Sequence, residues 1–155
     1  MNFSAREDIE APIEFVFSQV SDFEQLERRA LRRGAEVERS DDLTEPGPGM
    51  GWRTSFSLRG KRRKMKIEMV TYDPPNIMRF HTNSPNVTID TIVELVALSR
   101  GRTRLSFAAD VTAKNLGARL VLQSLKLAKS SVTRRFEQRM ATYARELEDR
   151  YSQRS

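Results

Sequence analysis

Residues 9–17, Ile9-Glu10-Ala11-Pro12-Ile13-Glu14-Phe15-Val16-Phe17, set how the rest of the chain is read. An extended stretch over residues 2–10 runs through Ala-Pro into a helix, because the N–H that Pro12 lacks would be unpaired in the opening turn anyway. Ile13, Val16, Phe17 and Val20 then recur at helical spacing, which gives that helix one apolar face. Ser21-Asp22-Phe23-Glu24 has the form of a capping box, with Ser21 taking an orphan N–H and Glu24 reaching back, and it predicts a second short helix. The basic run Arg28-Arg29-Ala30-Leu31-Arg32-Arg33 sits where cations oppose the negative end of the helix dipole, and Gly34 stops the helix.

From Ala35 to Ala113 the period changes to two. Turn signals fall at 45–49, Gly60, 73–76, 83–86 and 100–101, so this stretch predicts about six strands. Trp52, Thr54, Phe56 and Leu58 share one face, as do Met65, Ile67, Met69 and Thr71, and then Met78, Phe80 and Thr82. Val87, Ile89, Thr91, Val93 and Leu95 alternate in the same way, followed by Leu105, Phe107, Ala109 and Val111. Lys64, Lys66, Glu68, Asp90, Glu94, Arg104 and Asp110 occupy the opposite faces, the pattern of an antiparallel sheet with one wet side. Beyond Lys114 a helical stripe returns through Leu125, Ala128, Val132, Phe136, Met140, Tyr143 and Leu147, and the chain carries no Pro or Gly after Gly117. One long helix is expected there, and the apolar face of the sheet is the partner available to it.

The expected fold class is therefore α+β: an antiparallel sheet of about seven strands packed on a long C-terminal helix, with two short helices after the first strand. Residues 1–155 form one domain in this scheme, long enough to bury about 70% of the surface that the unfolded chain exposes.

These elements, in this order, resemble the START-like, or Bet v 1-like, superfamily that includes the polyketide cyclase/dehydrase proteins. The resemblance rests on Ile9-Glu10-Ala11-Pro12 with Val16-Phe17 and Asp22, on Gly49-Met50-Gly51-Trp52 entering a strand, on Tyr72-Asp73-Pro74-Pro75, and on the closing helix. It implies a helix-grip fold, a curved antiparallel sheet wrapped around the long C-terminal helix, with a deep, mostly hydrophobic cavity for lipids, quinones, polyketides or other small apolar molecules. It does not choose between binder and enzyme.

Composition narrows the function classes. The absence of Cys removes thiol nucleophiles, iron–sulfur clusters and Cys-ligated zinc, and suits a reducing cytoplasm. The first eight residues lack the apolar core of a signal peptide, and the apolar run Thr91–Leu98 is interrupted by Glu94, so a cytoplasmic protein is expected. The net charge is +6, from 27 basic and 21 acidic residues, with clusters at 28–33 and 61–66. Nucleic-acid binding is disfavoured because the 61–66 cluster has no interleaved aromatics for base stacking, whereas peripheral contact with an anionic membrane is compatible with it.

The single His81 alternates with Phe80 and Thr82 and should point outward, and one His makes no metal cluster. Asp90, Glu94 and Asp110 read as solvated cross-strand partners, Asp41-Asp42 as turn chemistry, and Gly47, Gly49 and Gly51 as a flexible loop at a cavity mouth. No catalytic residue, metal or cofactor is called for. The expected function is binding or carriage of an apolar small molecule, lined by Trp52, Thr54, Phe56, Met69, Phe80, Thr82, Thr91, Phe107, Val132 and Phe136. Arg39, alternating with Val37, is the candidate polar anchor for a ligand carboxylate or phosphate. The alternative is a cyclase or aromatase acting in the same cavity, for which Arg39, Thr82 and His81 are the nominees.

Overall fold

A computed structural model describes residues 1–154. The chain runs β1 (Asn2–Ile9), α1 (Ile13–Val20), α2 (Phe23–Arg32), β2 (Glu36–Arg39), β3 (Gly51–Leu58) and β4 (Lys61–Asp73). It continues through β5 (Ile77–Asn83), β6 (Val87–Ser99), β7 (Arg102–Ala113), α3 (Leu116–Leu127) and α4 (Lys129–Arg154). The seven strands make one antiparallel sheet in the order β1-β7-β6-β5-β4-β3-β2. Strands β2 to β7 are a meander, the natural result of tight turns between alternating segments, and β1 closes the far edge against β7.

Register aligns the apolar parities into rows on one face. Arg39, Trp52, Ile67, Thr82, Ile89 and Val111 face each other across six strands. Beside them run Met69, Phe80, Thr91, Ala109 and Phe3, and then Met78, Val93, Phe107 and Ala5. The two-residue period thus gathers distant segments onto one inner surface.

One end of that surface is sealed. Ile9, Met69, Met78 and Leu95 from the sheet, Val16 from α1 and Leu147 from α4 have essentially no exposure, and Phe15, Phe17, Met140 and Ala144 complete the core. The C-terminal half of α4 is pinned to the strand-to-helix turn read first in the sequence. The Glu10 N–H donates to Glu148 Oε2 at 2.8 Å, Arg150 donates to Gln19 Oε1 at 3.0 Å, and Phe15 packs on Tyr151 with ring centroids 5.1 Å apart. The buried Thr103 hydroxyl donates to the Ala11 carbonyl at 2.8 Å, tying β7 to the same turn. Thr103→Val leaves that carbonyl without its side-chain donor and is expected to cost about 1–2 kcal/mol. Urea melts should show a lower midpoint with an unchanged slope.

Several expectations need correction. The C-terminal helix is two helices, broken at Ala128, where φ is −104° and ψ is 11°. No Pro or Gly marks the break; α3 lies against β7 while α4 crosses β1, and the bend serves both contacts. Helix α2 is capped by Asp22, whose Oδ1 accepts from the Gln25 N–H at 3.2 Å, while the Ser21 hydroxyl is turned back onto the Phe17 carbonyl. A bulge between Met69 and Thr71 reverses the phase of β4, so Thr71 pairs with Arg79 on the outer parity and Tyr72 turns inward against Phe17. The 45–50 segment is anchored: Gly49 N–H donates to the Met69 carbonyl, Met69 N–H donates to the Met50 carbonyl, and Met50 is buried.

Candidate functional site

Away from its sealed end the inner surface stays half open. Thr54, Phe56, Met65, Ile67, Phe80, Ile89, Thr91, Phe107, Ala109 and Val111 are all only half-buried, as are Val132 and Phe136 in the first turns of α4. Apolar side chains on a concave face normally pack to completion, so these mark space that the chain's own side chains leave unfilled. One depression of about 620 Å³ is bordered by Val37, Thr54 and Met65, by Glu36, Glu38, Arg53, Ser55, Lys64 and Lys66 of the outer parity, and by the 83–85 turn and Lys114. A second, about 600 Å³, is bordered by Ala5, Glu7, Phe107 and Glu137 and by Ser4, Arg6, Ile92, Glu94, Ser106 and Ala108 of the outer parity. Both depressions are open, and neither is the single deep cavity that the resemblance implies.

The structure places the ten expected lining residues unequally. Trp52, Met69 and Thr82 are buried, whereas Thr54, Phe56, Phe80, Thr91, Phe107, Val132 and Phe136 keep exposed surface. Phe107 meets Phe136 at 5.0 Å between centroids, the contact that joins sheet to α4 over this face. Trp52, Phe23 and Phe80 form a ring cluster with centroids 5.3 to 6.4 Å apart. The Trp52 indole N–H donates to Glu27 Oε1 at 2.7 Å, satisfying the one polar atom of a buried ring.

Arg39 lies over the Trp52 ring at 5.8 Å, at the β2 edge of the inner surface. Its Nε and Nη2 donate to the two carboxylate oxygens of Asp41 at 2.9 and 2.6 Å. Asp41 also accepts from the N–H groups of Gly51, at 2.8 Å, and Leu43, at 2.9 Å. The Arg39 guanidinium, followed by the Gly51 N–H, holds the Asp41 carboxyl far below the usual carboxylate range, and Asp41 in turn raises Arg39. The stabilisation from this depressed carboxyl is complete above the ordinary value near 4 and is lost as pH falls through the folded one. Asp41→Asn is therefore expected to flatten the acid limb of the stability curve and to lower stability at neutral pH. Thermal melts between pH 2 and 7 check both.

His81 faces away from this surface, its Nδ1 2.7 Å from Asp90 Oδ1. Of the three groups nominated for cyclase chemistry, Arg39 and Thr82 share the inner parity and His81 does not. Two charged residues escape the sequence reading. Arg63 pairs with Phe56 and has the parity of Met65 and Ile67, and its Nε is buried without a hydrogen-bond partner among the described residues. Glu7 has the parity of Ala5 and Ile9 and shares a depression with Glu137. Their spacing from apolar neighbours was the available signal. Among the described residues no group of three or more His, Asp or Glu could hold a metal ion.

A curved antiparallel sheet holding a C-terminal helix against a leading strand-helix unit is the helix-grip fold of START-like proteins. The family model for polyketide cyclase / dehydrase and lipid transport matches residues 1–148, and the chain belongs to that family. An aromatase/cyclase from Streptomyces sp. R1128 superposes with a TM-score of 0.67 at 16% identity, over 97% of this chain and 94% of that one. A protein from Thermus thermophilus gives 0.67 at 19% identity, over 100% and 99%, and a START superfamily protein from Mycobacterium smegmatis gives 0.57 at 16%, over 88% and 97%. At such identities the likeness concerns the fold. No curated protein matches by sequence.

Proposed function

We propose that residues 1–155 act as one START-like domain that binds and carries an apolar small molecule, a lipid, quinone or polyketide-like compound. The ligand lies on the inner face of the sheet beneath the first turns of α4. The observation that carries this proposal is the division of one apolar surface into a sealed end around Leu147 and an open end around Phe80, Thr91, Phe107 and Phe136. Apolar surface left on a concave face gains on the order of 25 cal/mol per Å² when a ligand covers it. Thr54, Thr82 and Thr91 supply a few hydroxyls within that lining, the composition that orients a mainly apolar ligand. Arg39 marks the polar rim, with its charge already met by Asp41, so it suits a ligand hydroxyl or carbonyl better than a carboxylate.

Trp52 is the sole tryptophan and stands on the inner face, so its emission reports on occupancy. Titration with a naphthoquinone, a long-chain fatty acid and a polycyclic aromatic ketone is expected to give saturable changes in Trp52 emission with at least one of them. No saturable change with any member of the panel overturns the proposal.

A further inference from the structure

The basic residues of this protein concentrate in three stretches, and those at 28–33 and 61–66 are partly met by carboxylates. Arg28 pairs with Glu24 at 3.7 Å, Arg29 with Glu146 at 3.3 Å and Arg62 with Glu36 at 3.1 Å. Residues 111–136, in contrast, hold Lys114, Arg119, Lys126, Lys129, Arg134 and Arg135 and no acidic residue. The segment therefore carries a local charge of +6. None of the six forms an ion pair among the described residues.

The same segment leaves apolar side chains in water. Helix α3 is apolar on both sides. Ala118, Leu122 and Leu125 form its half-buried side, while Leu116, Leu120 and Leu127 are 69%, 56% and 91% exposed. At 3.6 residues per turn those three leucines fall within about 40° of one another around the helix. Arg119 and Lys126 flank this ridge on one side. A helix apolar all round is ordinarily covered on every side. Here the cover must tolerate an unpaired cationic border.

We propose that α3 and the start of α4 dock in the surface of an anionic lipid bilayer, with Leu116, Leu120 and Leu127 entering the boundary of the acyl chains and Arg119, Lys126, Lys129, Arg134 and Arg135 meeting headgroup phosphates, while Lys114 stays tied to Asn83 and the Ser84 carbonyl. An in-plane amphipathic helix gains from both terms, and each cation near an anionic surface adds about 1 kcal/mol. A second copy of the chain is disfavoured because it would bring the same uncompensated charge against this one. Nucleic acid is disfavoured because Phe136, the only aromatic in the segment, is turned inward onto Phe107. Docking this way stands on charge and exposure and does not depend on what the inner face holds.

Co-sedimentation of the full chain with vesicles tests it. Partition into phosphatidylcholine vesicles containing phosphatidylglycerol should exceed partition into phosphatidylcholine alone by about tenfold or more, and fall steeply with added salt. Leu127→Glu, at the most exposed leucine, should reduce partition by about tenfold with unchanged circular dichroism and thermal midpoint. Lys126→Glu/Lys129→Glu should do the same, and Arg62→Glu should leave it nearly unaltered. Equal partition into both vesicle types, no partition into either, indifference to Leu127→Glu, or a concentration-dependent dimer that Leu127→Glu dissolves would each overturn the proposal. The Trp52 titration is independent of these outcomes.

Discussion

Leu147→Ala is expected to destabilise the protein by about 2–5 kcal/mol, the range for removing a fully buried leucine side chain. Leu147 has no exposed surface and lies where α4, β1 and α1 close the sealed end, in one cluster with Ile9, Val16 and Leu95. Little there can relax into the vacancy, because the surrounding backbone is held by Glu10 N–H to Glu148, by Arg150 to Gln19 and by Thr103 to Ala11. For a chain of 155 residues each kcal/mol moves the thermal midpoint by about 2–4 °C, so a fall of roughly 10 °C is the expected result. Leu127→Ala, on the exposed ridge, should move it by less than about 1 °C. A similar loss from both would mean that the core is not where the fold puts it.

The largest expected effect on binding comes from filling the open end. Ala109 is half-buried and faces Thr91 and Phe3 on neighbouring strands, with Phe107 two residues before it. Ala109→Phe places a ring in the space that the ligand would occupy, without disturbing the sealed end. Affinity for any compound that perturbs Trp52 emission should fall at least about tenfold, equivalent to 1.4 kcal/mol, while the urea midpoint stays within experimental error or rises. An unchanged affinity with an intact fold would place the ligand elsewhere.

Periodicity made the sheet legible. Alternation through Trp52–Phe56, Val87–Leu95 and Leu105–Val111 gave the inner parity correctly, and Pro12 and Gly34 bounded the two short helices. The failures come from tertiary choices with no local marker. The bulge beside Val70 sends Thr71 outward and Tyr72 inward, yet no Gly or Pro announces it. Ala128 is a strong helix former in isolation, and α3 and α4 part there because they lean on different strands. Ser21 and Asp22 both suit a cap, and only the geometry of the turn selects Asp22.

The candidate site was legible in its apolar part and obscured in its polar part. Taking charge as a sign of the outer face hid Arg63 and Glu7, which have inner parity. The six cations of 111–136 are spaced too widely to stand out beside the dense runs at 28–33 and 61–66, although no acid lies among them. Exposure of Leu116, Leu120 and Leu127 was not readable at all, since a leucine-rich helix after a sheet reads as core.

The most direct measurement is native mass spectrometry of gently purified protein, followed by addition of the fatty acid, naphthoquinone and polycyclic ketone. One apolar molecule per chain, retained by the native protein and lost in Ala109→Phe, is the predicted result. A bare chain under every condition, together with an experimental structure in which side chains fill the space between Phe80, Thr91, Phe107 and Phe136, would contradict it.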